Sequence, residues 1–472
     1  MKGPLYATAD IRRIEAAAGD ATPPLMERAA EAAAELAARI VPEGGKDILV
    51  LVGPGNNGGD AKIAAARLRE RHFRVVELRA GDPLPAPRNW ALVVDGLFGI
   101  GLGRDLDGPF AALVDYANAQ ACPLLALDIP SGVDADTGRV LGRAIRATHT
   151  ITFIGLKPGL LTLDGPDHCG EVSVAALGLD APALVAPTGW VDEPDLLRGL
   201  LKPRPRNFHK GMAGSVAVIG GARGMTGAAL LAARAALQLG AGRVYAGLLG
   251  EDAPAFDPMF PELMLRSPDD ALGLDLDAIV AGPGIGGSGH AETLVGEALA
   301  IDLPCVLDAD ALNLVAASAD LRAACAKRTA DTLLTPHPAE AGRLLGRSMA
   351  EVQRDRLKAA RELSASLNAH VVLKGCGSVL VARDGHWFIN ASGNPGMASA
   401  GMGDVLAGIL GALLAQGYSG EASMMAGVHL HGAASDRLVA EGTGPVGLVA
   451  SETIAAARRL WNGWLDAAHS PR

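Results

Sequence analysis

The sequence predicts an α/β protein of two domains, each built on a parallel sheet with helices on both faces. Three observations predict it. Short apolar runs alternate with longer Ala/Leu-rich stretches of helical spacing along nearly the whole chain, the pattern of strand–helix units. That rhythm breaks over 181–206, where prolines gather and no strand-like run is found, so this stretch reads as a linker. The chain is 472 residues long, and at roughly 100–200 residues per domain that allows two to four domains.

Each expected element follows in order. Apolar spacing around Ile11, Ile14, Leu25, Met26 and Leu36 predicts helix over 8–40, interrupted at Pro23-Pro24. Strands are expected at 47–52 (DILVLV), 73–78, 91–95, 123–128 and 148–153, with helices near 60–72 and 107–120. Past the linker, strands are expected at 215–219, 243–247, 277–281, 304–308, 331–335, 370–373 and 378–382. Helices are expected at 227–240, 288–300, 350–368, 403–416, 421–440 and 451–463. The motifs of the two halves do not repeat, so two different α/β domains are expected, 1–205 and 206–472.

Composition narrows the classes. With 49% hydrophobic residues the chain can bury large cores. Sixty glycines against 4% aromatics point to small-residue packing and tight turns. A net charge of −10 removes the usual footprint for nucleic acid and disfavours a membrane surface. The five cysteines (122, 169, 305, 325 and 376) lie far apart, forming neither a disulfide framework nor a CxxC motif. The N-terminal stretch has no apolar core of a signal peptide, and no apolar run reaches transmembrane length. The expectation is a cytoplasmic protein.

In the first half the strongest signal is Gly53-Pro54-Gly55-Asn56-Asn57-Gly58-Gly59-Asp60, between a strand and a helix. Glycines let the backbone approach a ligand, and a helix N-terminus favours an anion. A tight turn with an Asn cap is the structural alternative, but two Asn and an Asp crowd one turn. Two further strand ends carry Asp95 through Asp105 (DGLFGIGLGRD) and Asp128-Ile129-Pro130-Ser131-Gly132-Val133-Asp134. Open α/β sheets place ligands at such ends, and the converging oxygens could hold a monovalent cation.

GPGNNGGD, VVDGLFGIGLGR and LDIPSGVDADTG together resemble the epimerase domain of the NAD(P)H-hydrate repair family. That family interconverts the R and S epimers of NADH and NADPH carrying a hydroxyl at C6 of the nicotinamide ring. The resemblance implies a Rossmann-like three-layer αβα domain. It implies hydrated-cofactor contacts at Asn56, Asn57, Gly58, Gly59 and Asp60, at Gly99, Ile100, Gly101, Leu102, Gly103, Arg104 and Asp105, and at Asp128. It implies potassium at Asn57, Asp95 and Ser131, with Asp128 as the acid/base. The sequence departs from the family pattern at Ala61 and Ile100.

The second half opens on His209-Lys210-Gly211 and offers glycine loops at Gly220–Gly227 and Gly282–Gly286. Thr335-Pro336-His337-Pro338 holds a histidine between prolines at a strand end. Asn394 through Asp404 (NPGMASAGMGD) stacks small residues just before a helix, an anion hole with Asp404 beside it as a base for an acceptor hydroxyl. Lys374-Gly375-Cys376-Gly377-Ser378 suits nucleotide phosphates. These features resemble the ribokinase-like fold. HKG, GMTGAA, GPGIG, TPHPAE, LKGCGS and GNPGMASAGMGD, in that order, narrow the resemblance to the NAD(P)H-hydrate dehydratase branch. The resemblance implies hydrated-cofactor contacts at Ala228, Gly284, His337 and Asp404. It implies ADP or AMP contacts at Lys374, Gly375, Cys376, Gly377, Ser378 and Gly403, and a magnesium requirement. Met402 stands where Thr or Ser is common.

The expectation is a fused repair enzyme acting on small molecules, hydrated NADH or NADPH and ADP, with no nucleic-acid or membrane partner. Homo-oligomerisation is implied by the family alone. A small-molecule kinase of ribokinase-like fold remains the alternative. It shares Asp404 and the anion hole but leaves the first-half NNGGD unexplained.

Overall fold

Most apolar runs of the sequence become strands within a residue or two of where the alternation puts them. In the computed structural model, residues 3–19, 21–85 and 88–469 are described. The chain divides into two compact units, Met1–Val191 and Asp192–Arg472. In the first unit the strands are β1 (Pro4–Leu5), β2 (Asp47–Val52), β3 (Arg74–Leu78), β4 (Leu92–Gly96), β5 (Leu124–Leu127), β6 (His149–Phe153), β7 (Glu171–Ala175) and β8 (Gly189–Asp192). Strands β2 to β7 form one parallel sheet in the order β3-β2-β4-β5-β6-β7. β2 shows why its run is continuously apolar. Ile48, Val50 and Val52 join one core cluster, and Leu49 and Leu51 join another. Alternate side chains point to opposite faces, and both faces are covered.

The helical stretch 8–40 resolves into Thr8–Ala18 and Leu25–Ile40, with Pro24 as N-cap of the second. The second helix buries Ala29, Ala30, Ala33, Ala34 and Ala37 and packs against helix Asn56–Glu70. Alanine-wide contacts of this kind take up much of the small-residue composition.

The stretch 181–206 corrects an expectation: it is not strandless. It carries helical turn Ala181–Leu184, strand β8 and helical turn Pro194–Leu197. Pro182 and Pro194 sit in first turns, where a missing N–H costs nothing, so they start helices rather than break them. β8 pairs antiparallel with β1 over two residues. β7 also escaped the sequence reading, because it is a largely exposed sheet edge.

In the second unit the strands are β9 (Ser215–Gly220), β10 (Arg243–Leu248), β11 (Met264–Arg266), β12 (Ala278–Ala281), β13 (Cys305–Leu307), β14 (Thr332–Leu334), β15 (His370–Leu373), β16 (Ser378–Val381) and β17 (Trp387–Asn390). Their spatial order is β17-β16-β15-β14-β13-β12-β9-β10-β11. β15 to β17 pair antiparallel and the rest parallel. Helix Met402–Ala415 is apolar all round and buried from Val405 to its end, between helices Thr226–Gln238 and Gly420–Ala440. The single helix expected at 350–368 is two, Met349–Arg354 and Arg356–Leu367. Asp355 leaves helical geometry between them, and its side chain caps the second at Lys358. Among the described residues no helix is long and apolar enough to cross a membrane.

Each sheet reverses its winding once. In the first unit the chain leaves β2 for β3 on one side and returns to β4 on the other. In the second it leaves β9 for β10 and β11, then returns to β12. The crevice beyond the carboxyl ends of strands at such a reversal is where open α/β sheets bind ligands.

Candidate active sites

In the first unit the loop after β2 enters helix Asn56–Glu70, and the loop after β4 runs from Leu97. Between them lies a cleft of about 360 Å³. Asn56, Asn57, Asp60, Gly99, Ile100, Gly101 and Asp128 line it, with Arg12 and Glu15 from helix Thr8–Ala18. Gly58 shows what the double glycine is for: a Cβ there would stand 1.9 Å from the Gly53 carbonyl oxygen. The turn closes only without side chains.

Asp128 ends β5 at φ +67°, a backbone state that only the surrounding structure can hold. Its Oδ2 accepts from the Ile100 N–H (3.1 Å), and its Oδ1 takes the Lys157 ammonium at 2.5 Å. The Lys157 side chain is fully buried, and also donates to Thr152 Oγ1 and the Phe153 carbonyl, each at 2.8 Å. Asp60 faces the same cleft with no hydrogen-bonding partner among the described residues. Burial, with Asp128 and Glu15 nearby, pushes its carboxyl up to about 8. Burial and Asp128 also raise Glu15.

Behind the cleft, Asp95 is fully buried. Its carboxylate accepts from Ser131 Oγ (2.7 Å), Ser131 N (2.8 Å) and Leu97 N (3.1 Å). Burial nevertheless drives it up to about 6. Asn57 is buried with neither its Oδ1 nor its Nδ2 partnered. An orphaned amide and a buried carboxylate in need of positive charge are hard-oxygen donors that fit a monovalent cation. Not every expected contact reaches the cleft. Leu102 turns into the core. Gly103, Arg104 and Asp105 are exposed beyond the cleft lining, and Gly58 and Gly59 pack on Gly53 and Met26.

In the second unit the loops after β9 and β12 clasp each other. Gly221 N donates to the Pro283 carbonyl (3.0 Å) and Ala222 N to the Gly284 carbonyl (2.7 Å). Ala228 and Gly284 come together there, since a Cβ on Gly284 would lie 3.2 Å from that of Ala228. Asp404 sits in the first turn of helix Met402–Ala415 without a hydrogen-bonding partner among the described residues. Burial, then Asp308, pushes its carboxyl up to about 6, against the pull of Lys374. Lys374 is bound to Asp308 (2.8 Å), whose Oδ1 also accepts from Thr335 Oγ1 (2.7 Å). Gly403 lies against both, its added Cβ 3.1 Å from Lys374 Nζ and 3.4 Å from Asp308 Oδ2.

His337 is exposed and caps helix Pro338–Leu345. Its Nδ1 accepts from the N–H groups of Ala339 and Glu340, and Glu340 accepts from the His337 N–H. Burial and then Lys374 lower its pKa. An Nδ1 that accepts two bonds leaves the proton on Nε2, 3.2 Å from Glu340 Oε1. Among the described residues no three His, Cys, Asp or Glu side chains converge to hold a metal by themselves. Magnesium with a nucleotide needs only one or two carboxylates besides phosphate oxygens, and Asp308, Asp310 and Asp404 lie near enough to act on one another's charge, a donor set that fits it.

Sequence reasoning missed Lys157, Glu15, Asp308, Asp310 and Arg356. Lys157 carried a signal, a lone lysine in the apolar run FIGLKPG of a lysine-poor chain. Asp308 also carried one, since it ends an expected strand. Glu15 and Arg356 lie on helices with nothing local to mark them.

Two α/β units with carboxylates and glycine loops at strand ends, the first of them around a cleft of about 360 Å³, define an enzyme of two nucleotide-handling domains. Residues 216–456 match the family described as NAD(P)H-hydrate dehydratase, and residues 23–87 and 82–159 match the YjeF-related protein N-terminus. The chain is 39% identical over 494 aligned positions to the bifunctional NAD(P)H-hydrate repair enzyme Nnr of Coxiella burnetii, covering 97% of this chain and 99% of that one. It is 38% identical to that of Escherichia coli, covering 96% and 93%. Among solved structures, the ADP/ATP-dependent NAD(P)H-hydrate dehydratase of Bacillus subtilis, crystallised with ATP and Mg2+, is similar with TM-score 0.52 and 28% identity, over 58% of this chain and 98% of that one. A ribokinase-like superfamily protein of Enterococcus faecalis is similar with TM-score 0.50 and 26% identity, over 58% and 95%. The chain belongs to the family of bifunctional NAD(P)H-hydrate repair enzymes, and its second unit has the ribokinase-like fold.

Proposed function

We propose that the first unit interconverts the R and S forms of hydrated NADH and NADPH, and that the second dehydrates the S form with ADP as phosphoryl donor. The Asp128–Lys157 pair at the floor of the first cleft carries the epimerase reading. The C6 carbon bears both the hydroxyl and ring N1. Inverting it means opening and re-closing a bond there, with a proton given and taken at oxygen. Asp128 is the group for that exchange, and the Lys157 ammonium holds it in place. Asn57, Asp95 and Ser131 would hold a potassium ion. Its charge would offset the buried Asp95 carboxylate and orient the Asn57 amide.

In the second unit the C6 hydroxyl is a poor leaving group. Asp404 takes its proton as the oxygen attacks the β-phosphorus of ADP, and AMP departs. The C6–O bond then breaks with phosphate as leaving group, and loss of the C5 proton restores the double bond. Lys374–Ser378 and Gly403 would receive the nucleotide, and Ala228, Gly284 and His337 the hydrated cofactor. Magnesium bound with the nucleotide would supply positive charge to its phosphates.

The test mixes purified protein with an R/S mixture of hydrated NADH. Reduced-nicotinamide absorbance should return completely with ADP and magnesium, and not at all without nucleotide. Failure to recover it, alongside phosphorylation of another alcohol, would replace this reading with a kinase.

A further inference from the structure

Two cations lie at the loop Lys374–Ser378, and they are balanced very differently. Lys374 is paired with Asp308 at 2.8 Å, and Glu340 and Asp404 act on it as well. Arg356 begins helix Arg356–Leu367 beneath the loop and is 2% exposed. Its Nη1 donates to the Cys376 carbonyl (2.6 Å) and its Nη2 to the Leu373 carbonyl (3.0 Å). Its Nε has no partner, and no carboxylate among the described residues pairs with it.

A buried guanidinium without a counter-ion is costly, because its charge has left water and two carbonyl hydrogen bonds repay only part of the loss. Burial lowers its pKa only to about 10, so it stays charged at neutral pH. The fork bridges the two ends of the loop. In a trans peptide the carbonyl and the next N–H point opposite ways. Drawing the Cys376 oxygen down to Arg356 therefore turns the Gly377 N–H up and away from it. Gly375 makes room for this arrangement. It sits at φ +149°, and a Cβ there would come within 2.7 Å of Arg356 Nη2.

We propose that Arg356 is a positioning residue for ADP: it sets the Lys374–Ser378 loop from below and supplies the buried positive charge that the diphosphate balances. This rests on the reading of that loop as the nucleotide site. Lys374, already matched by Asp308, has little net charge to offer. The missing counter-ion of Arg356 is the substrate itself.

The experiment compares full-length wild type with Arg356→Gln and Arg356→Lys. ADP and adenosine affinities are read by ligand-induced shifts in melting temperature, and KM and kcat are read with hydrated NADH. The melting temperature without ligand, together with adenosine binding, reports whether the second unit of each variant is intact. Arg356→Gln should weaken ADP and raise its KM by roughly tenfold to a hundredfold, the range for a hydrogen bond to a charged group. Adenosine affinity and the KM for the hydrate should hardly move. Arg356→Lys keeps the charge but not the fork to the two carbonyls, and should recover part of the loss even if the Gln variant folds poorly. Equal losses for ADP and adenosine, or a Lys variant as weak as Gln, would overturn the proposal and leave a purely structural arginine. A wild type that ADP does not stabilise at all would overturn the nucleotide-site reading and the proposal with it.

Discussion

Both units place a carboxylate and a lysine at strand ends, and they wire them in opposite ways. In the first, Lys157 holds the very acid that faces the cleft, at 2.5 Å. In the second, Lys374 is taken by Asp308, and Asp404 is left without a hydrogen-bonding partner, its carboxyl pushed up to about 6. The same inventory thus serves two tasks. An acid in contact with an ammonium is fixed in position for exchange in both directions. An acid not bonded to its lysine, and raised by burial and by Asp308, sits near the pH at which a base must release and accept protons.

The largest expected effects break this contrast at its two acids. Asp128→Asn should slow epimer exchange by about 10²–10⁴-fold, while ADP-dependent recovery from pure S hydrate stays at the wild-type rate. Lys157→Met should follow it, and a variant that kept normal exchange would show the pair to be ornamental. Asp404→Asn should produce the mirror image, losing the ADP-dependent step by about 10²-fold or more and leaving epimer exchange intact.

A pH profile sharpens the same comparison. If Asp404 acts as the base, the ADP-dependent rate falls as pH drops through about 6, because the carboxyl takes up the proton it must be free to accept. A flat profile from pH 5 to 8, with chemistry limiting, would remove Asp404 from that role.

Stability gives a smaller effect. The Asp60 carboxyl sits at about 8 in the folded protein against 3.8 as its ordinary value. Between those values the folded chain holds a proton that the unfolded chain has lost. Its contribution is therefore fully present below pH 4 and lost as pH rises through about 8. Asp60→Asn should flatten that part of the melting curve's pH dependence, and an unchanged slope would show that other groups set it. The smallest effect concerns Cys376, which is exposed and whose thiol is in no disulfide. Cys376→Ala should leave the KM for ADP within about twofold, the usual range for a surface replacement. A large change would give the thiol a role that its backbone does not explain.

Strand positions were legible because fully covered parallel strands must be apolar on both faces, so each shows as a continuous run. β1, β7, β8, β11 and β17 were not: β1 and β11 are two and three residues long, β8 pairs over two residues and β7 is an exposed edge, which leave little mark on composition, while β17 is a buried four-residue strand that went unread. The candidate sites divide the same way. Asn57, Asp60, Asp128 and Asp404 stand in glycine-rich loops, whose composition is unusual enough to see. Lys157 and Arg356 are distant in sequence from the groups they hold, 29 residues for Asp128 and 17 and 20 for the Leu373 and Cys376 carbonyls. Each separation spans several helical turns or strand repeats, so no local periodicity links the partners.

The sequence by itself determined the class of fold, the order of most of its strands and longer helices, and the loops where ligand chemistry gathers. These follow from local periodicity and from where glycine must stand. Only the tertiary structure decided which cation answers which anion: that Lys157 belongs to Asp128, that Lys374 belongs to Asp308, and that Arg356 answers to no carboxylate in the described chain. Electrostatic partnership depends on distance and burial in space, and strand crossover brings together charges that the chain keeps apart.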